Sequence, residues 1–255
     1  MIAMLLLAQN ISKSFGGLKA LQDISFGLEP GQIFGLIGPN GAGKTTLFNC
    51  LTGSYKASLG RFVFGNEDIT DFSDVKIAQT GISRTFQNIR LFKEMTALEN
   101  VMVGRHARSR TGLWGALSRG KNTRAVEREL RQKSLTLLDY VGLYGAGQSL
   151  AKNLPYGHQR RLEIARALAA EPGLLCLDEP AAGMNPSEVS ELMSLIRRIR
   201  DDGTTVLLIE HHMKVVMGIC DRVLVLDSGS KIAEGSPREV QNDDKVIEAY
   251  LGRQG

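Results

Sequence analysis

One run of residues, Gly38-Pro39-Asn40-Gly41-Ala42-Gly43-Lys44-Thr45-Thr46, carries the clearest chemistry in the sequence. Its spacing is G-x-x-x-x-G-K-[ST], the pattern of a loop that wraps phosphate. Glycines at positions 38, 41 and 43 let the backbone turn tightly and aim its N–H groups at an anion. Lys44 supplies a point charge for the outer phosphates, and the Thr45 hydroxyl is suited to Mg²⁺. A second run, Leu174-Leu175-Cys176-Leu177-Asp178-Glu179, is apolar and ends in two acids. That places Asp178 and Glu179 at the C-terminal end of a core strand, where ligands of open α/β sheets gather. Asp178 can hold Mg²⁺ directly or through water, and Glu179 can accept a proton from an attacking water.

These residues need elements to hold them. Gln32 to Ile37 is a mostly apolar run suited to a buried strand, and a helix is expected from Lys44 to about Leu51, its positive end toward the phosphates. Strands are expected over Met4–Ser14, Ile24–Leu28, Gly60–Asn66 and Ile82–Phe86, the last ending at Gln87. From Glu94 to Leu168 helical spacing dominates, with Leu98, Val101, Met102, Val126, Leu130, Leu135, Leu138 and Val141 as its apolar positions. Strand character returns at Gly173–Leu177 and Thr204–Ile209. Between them Asn185 caps a helix that begins at Pro186 and stops at Gly203. Arg222–Leu226 and Lys231–Ala233 form a hairpin around Asp227-Ser228-Gly229, and a short helix spans Val246–Leu251. Strands alternating with helices around the phosphate loop predict an α/β fold with a central parallel sheet.

Composition narrows the classes. The 255 residues are 43% hydrophobic and 23% charged, with a net charge of +4, which demands no nucleic acid. Cys50, Cys176 and Cys220 are far apart and read as buried free thiols in a reducing compartment. The apolar start, Met1–Ala8, reads as a strand rather than a signal peptide, and no apolar run approaches the roughly 20 residues that span a bilayer. Arg105 to Lys121 is basic, with Arg108, Arg110 and Arg119. It reads as a solvated face, or as contact with lipid headgroups or a membrane partner.

Leu154-Pro155-Tyr156-Gly157-His158-Gln159-Arg160-Arg161 stands where one family has its L-S-G-G-Q signature. With the phosphate loop, Gln87, Asp178-Glu179 and Ile209-Glu210-His211-His212 in the same order, the chain resembles the ATP-binding subunits of ABC transporters. Phe15-Gly16-Gly17-Leu18, Leu154–Leu168, Asp178–Pro186 and the ending Glu248–Gly252 are most similar to the ATPases of branched-chain amino acid importers, the LivG type. Urea and amide importers use similar subunits.

The resemblance implies a single ABC-type domain over 1–255. It would comprise a P-loop NTPase core with a mainly parallel sheet and an N-terminal antiparallel β subdomain (1–88 and 170–255), and an inserted α-helical subdomain (89–169) bearing the signature. ATP and Mg²⁺ are the implied cofactors. Phe15 stacks on adenine, and Gly38 to Thr46 hold the phosphates. Gln87 reaches Mg²⁺ and the attacking water, and His211 contacts the γ-phosphate. Two such subunits pack head to tail, so Tyr156, Gly157 and His158 serve the partner's ATP. Here Pro155 replaces the signature serine, Tyr156 the first glycine and His158 the glutamine, while Asn185 replaces an aspartate on the same surface. These departures point to pairing with a different ATP-binding subunit, with a homodimer as the alternative. The expected partners are that subunit, two membrane-spanning permease subunits and an external substrate-binding protein, with no nucleic acid. The expected location is peripheral, at the cytoplasmic face of the inner (plasma) membrane. The rival readings are a soluble ABC-type ATPase acting on DNA or ribosomes, and a scaffold that binds ATP without turnover.

Overall fold

The computed structural model describes residues 4–106 and 121–251. The chain opens with β1 (Leu6–Phe15), β2 (Leu18–Leu28) and β3 (Ile33–Ile37), followed by α1 (Lys44–Leu51). β4 (Leu59–Phe64), β5 (Glu67–Asp68), α2 (Asp74–Thr80) and β6 (Ile82–Arg84) come next. Three helices follow, α3 (Ala97–His106), α4 (Lys121–Tyr140) and α5 (Tyr156–Leu168). The remainder is β7 (Leu174–Asp178), α6 (Pro186–Asp201), β8 (Thr205–Ile209), α7 (Met213–Ile219), β9 (Arg222–Asp227), β10 (Ser230–Gly235), α8 (Pro237–Gln241) and α9 (Asp244–Leu251).

Two sheets result. The larger has the order β10-β9-β3-β8-β7-β6, parallel throughout except for β10 at its edge. Every residue of β3, β7 and β8 is buried, which explains their unbroken apolar runs: such strands are covered on both faces. Alternate side chains feed two cores. Ile33, Ile37, Leu175, Leu177, Val206 and Leu208 face a core shared with α5, α6 and α7. Phe34, Leu36, Cys176, Leu207 and Ile209 face a second core with Leu47, Phe48 and Leu51 of α1. The smaller, antiparallel sheet, β2-β1-β4-β5, closes that second core with Leu6, Ala8, Ile11, Ile24, Phe26 and Phe62.

Between β6 and β7 the chain builds a helical layer from Leu98, Val101, Leu138, Val141, Leu162 and Ala165. α3 crosses α5 at Gly104, where a Cβ would lie 2.2 Å from the Arg166 carbonyl oxygen, so only glycine allows that approach.

The structure corrects several expectations. β6 ends at Arg84, so Gln87 sits on a loop and not at a strand end. β2 begins at Leu18: its exposed, bulge-broken first half shows no alternation to read. Val126, placed on the apolar stripe, is exposed, as are the three residues after it, Glu127, Arg128 and Glu129, so this stretch of α4 faces solvent. Residues 107–120, including Arg108, Arg110 and Arg119 of the basic stretch, and residues 1–3 and 252–255 lie outside the described residues.

Candidate functional site

The phosphate loop joins β3 to α1, as its spacing demands. Gly38 has φ 147°, and a Cβ there would lie 2.1 Å from the Leu226 carbonyl oxygen at the end of β9. The loop is therefore wedged against the sheet from its first residue. The β9–β10 turn fixes its far side, where Gly229 N–H donates to the Ala42 carbonyl at 3.0 Å while its own carbonyl receives the Gln22 N–H at 2.7 Å. Gly43 offers no side-chain cap, so the first turn of α1 presents its N–H groups and positive end to the loop's concave side. Lys44 Nζ folds back to donate to the carbonyls of Gly38 (2.7 Å) and Pro39 (3.0 Å). Burial pulls the Lys44 pKa down, and the charges of Glu179 and Asp178 oppose that shift. A buried ammonium among backbone N–H groups is a site for an anion of high charge.

A cleft of about 580 Å³ opens over this loop. Asn40 to Thr46 form its floor, with Phe15, Leu18, Lys19 and Ala20 on one wall and Gln87 and Glu179 on another. Ser228 and Gly229, from the hairpin turn, complete the rim. Phe15 is exposed there, with Lys13 Nζ 4.9 Å from its ring centroid and the Tyr55 ring edge-on at 5.4 Å.

The acids arrive at the end of β7. Asp178 is buried and its carboxylate faces the Arg84 guanidinium at 3.7 Å. Burial raises its pKa to about 6, against a lowering by Arg84. Glu179 follows in the left-handed region, φ 45°, held there by its N–H bond to the Ile209 carbonyl at 3.0 Å. A non-glycine residue in that region stores strain, as functional sites often do. The conformation turns the carboxylate into the cleft, where Gln87 Nε2 donates to Oε2 at 3.0 Å and His211 Nδ1 stands 3.6 Å from Oε1. Glu179, Gln87 and His211 thus come from three separate segments and converge beside Lys44.

The donor set suits a small hard cation. Thr45 and Gln87 line the cleft and offer a hydroxyl and an amide oxygen, the latter left available because the amide nitrogen is spent on Glu179, whereas Asp178 lies buried against Arg84 and is not among the lining residues. Tyr156, Gly157 and His158 are not brought to this cleft. They form the first turn of α5, after Pro155 as N-cap without a side-chain cap. The Tyr156 ring covers Gly183, and Gly157 abuts Glu188 at the start of α6.

A family model described as ABC transporter matches residues 21–182. The chain belongs to the ATP-binding cassette family of ABC transporters. A second model, described as branched-chain amino acid ATP-binding cassette transporter, matches residues 230–255. The cassette is 46% identical over 249 residues to the high-affinity branched-chain amino acid transport ATP-binding protein LivG of Escherichia coli K12, covering 97% of this chain and 98% of that one. It is 45% identical to BraF of Pseudomonas aeruginosa, covering 95% of each. A crystal structure of a nucleotide-free ATP-binding cassette from an ABC transporter superposes with a TM-score of 0.86 at 34% identity, over 98% of this chain and 100% of that one. The fold is that of this family's ATPases, and the protein is a nucleotide-binding ATPase of the ABC-transporter class.

Sequence reasoning missed some of the cassette's supports. Glu210 is fully buried, and its carboxylate accepts from the N–H groups of Ala181 (3.0 Å), His211 (3.2 Å) and His212 (3.2 Å). It ties the strand end carrying His211 to the turn after Glu179. The readable signal was an acid closing the apolar run of β8, as Asp178 closes β7. Arg84 was read only as part of a strand, yet its guanidinium lies over the rings of Phe48 and Phe86 and donates to Asn49 and Thr52 of the phosphate-loop helix and its C-cap.

Proposed function

We infer that this cassette is the ATP-hydrolysing motor subunit of an importer for branched-chain amino acids. Lys44 and the N–H groups of the loop hold the outer phosphates, and the exposed Phe15 ring stacks on adenine. Thr45, Asp178 and Gln87 hold Mg²⁺, which neutralises charge on the phosphates when bound. Glu179 aligns the attacking water and takes its proton, while Gln87 and His211 fix the carboxylate and His211 meets the γ-phosphate. Catalysis of this kind is mainly positioning and electrostatics. The observation that carries the reading is the convergence of Gln87 and His211 on Glu179 at the rim of the phosphate-loop cleft.

The transported class rests on similarity to LivG and BraF and on the match of the C-terminal segment. Among the described residues no helix is long and apolar enough to cross a membrane. Two permease subunits then span the bilayer, with the cassette peripheral on the cytoplasmic face and an external binding protein delivering substrate. Tyr156, Gly157 and His158, at the uncapped start of α5, complete the ATP site of a second ATP-binding subunit in head-to-tail packing. Loss of the serine at Pro155 favours a different chain in that place. The cassette divides in this reading into a core (1–88 and 170–255) and an inserted helical subdomain (89–169) that bears the signature.

Purification of the tagged chain from native membranes tests this. Two permease subunits, a second ATPase and ATP-driven leucine uptake by the reconstituted complex are expected. Recovery without membrane proteins, or uptake of urea or amides but not of leucine, would sink the reading.

A further inference from the structure

The loop carrying Gln87 leaves the sheet at Thr85, whose N–H still bonds to the Cys176 carbonyl of β7 at 2.9 Å. Beyond that point two side chains of α5 take up its backbone. Arg160 Nη1 donates to the Phe86 carbonyl at 2.6 Å, and Nη2 donates to the Gln87 carbonyl. Glu163 Oε1 accepts from the N–H groups of Phe86 (3.4 Å) and Arg90 (3.2 Å). The two side chains, three residues apart on one helix face, also meet each other, Nη1 to Oε2 at 3.3 Å. Both residues are buried, 2% and 1% exposed. One ion pair therefore grips carbonyl and N–H groups on both sides of Gln87.

Stability is a poor account of this arrangement. Desolvating a buried ion pair costs about as much as its attraction returns, and an apolar pair of similar volume often serves as well. Arg160 Nε is buried with no hydrogen-bond partner among the described residues, so the guanidinium is not satisfied even in this setting. Burial raises the Glu163 pKa, and the Arg90 N–H and the Arg160 charge lower it only in part. What the pair does supply is registration. It sets the orientation of the Gln87 peptide and hence the direction in which the side chain reaches Glu179, 3.0 Å away. The same guanidinium donates to the Tyr156 hydroxyl at 3.3 Å, in the first turn of α5.

We propose that Arg160 and Glu163 are positioning residues for ATP hydrolysis, holding the Gln87 loop to α5 so that Gln87 stays aimed at Glu179. The proposal rests on the ATPase reading and deepens it: the start of α5 and the Gln87 loop move as one body.

The test uses the full chain, assembled with the subunits that co-purify with it, carrying Arg160→Met or Glu163→Gln, each also placed in a Gln87→Ala background. The readouts are kcat, KM and Kd for ATP, and hydrogen exchange of the Phe86 and Arg90 amides. Each single substitution is expected to lower kcat about tenfold or more, as small misplacements of catalytic groups do, while KM and Kd stay unchanged. The two amides exchange faster, and in the Gln87→Ala background the substitutions cause no further loss. If a lone charge left buried prevents folding, Arg160→Met with Glu163→Leu removes both and reads the same quantities. An equal fractional loss of kcat with and without Gln87, or faster exchange with unchanged kcat, would overturn the proposal. Absence of turnover in the wild-type complex would instead overturn the ATPase reading on which it stands, and exchange would still report whether the clamp exists.

Discussion

Lys44 stands between opposed demands. Burial disfavours its charge, the carboxylates of Asp178 and Glu179 favour it, and two loop carbonyls occupy its donors. A phosphate entering the loop replaces those carbonyls with a stronger partner. Charge-assisted hydrogen bonds contribute about 1.5–3 kcal/mol, so Lys44→Ala is expected to weaken ATP binding by roughly 10- to 150-fold. Titration calorimetry checks this, and an unchanged Kd would remove Lys44 from the phosphate site. At this scale the sequence was most legible where chemistry is contiguous. Gly38 to Thr46 reads as a unit because one loop does the whole task. Glu210 and the Arg160–Glu163 pair were not legible as supports, because their partners are backbone groups of distant segments. Such groups leave no mark in side-chain patterns.

Among the elements, α6 shows how a local signal becomes stability. Asn185 Oδ1 accepts from the N–H groups of Ser187 and Glu188, both at 3.0 Å, and Glu188 Oε2 accepts from the Asn185 N–H at 2.9 Å. With Pro186 at the first position this reciprocal cap fixes where the helix starts, beside the turn that follows Glu179. Asn185→Ala is expected to cost about 1 kcal/mol, lowering Tm by about 2–4 °C, whereas Asn185→Asp retains the cap. Thermal melts followed by circular dichroism measure both, and equal melting of all three chains would deny the cap its part. Helix α1 was placed correctly from its glycine-bounded start, and α6 from Asn185 and Pro186. The early end of β6 was not foreseen, because Thr85 and Phe86 continue the alternation of a strand while the Phe86 backbone, one residue past the last bond to β7, has turned toward α5. Periodicity reports which face is apolar, not which carbonyl bonds to which strand.

Across the whole molecule, the six-stranded sheet divides two cores, and the phosphate loop leaves the C-terminal end of its interior strand β3. The three cysteines report on that burial. Desolvation pushes the Cys50 thiol to about 11, and those of Cys176 and Cys220 to about 12. At pH 8 the thiolate fraction of each is then roughly one part in a thousand or less. Native protein is expected to show no fast-reacting thiol toward a disulfide reagent, and urea-unfolded protein to show all three. A rapid thiol in the native state would contradict the packing of these cores. The family membership, the α/β class and the central parallel sheet were readable from motif order and apolar runs. The close crossing of α3 on α5 at Gly104 was not, since a glycine within a helical pattern gives no partner.

The measurement that bears most directly on the central claim is phosphate release from ATP by the cassette assembled with the subunits that co-purify with it, with and without Mg²⁺, for wild type and Glu179→Gln side by side with their ATP affinities. Wild type is expected to hydrolyse ATP only with Mg²⁺. Glu179→Gln should bind ATP as well and turn over about 10²–10⁴-fold more slowly, the range for loss of a general base. Equal phosphate release by the two chains, or ATP bound by wild type with Mg²⁺ and never cleaved, would contradict the assignment of this cleft as a hydrolytic site.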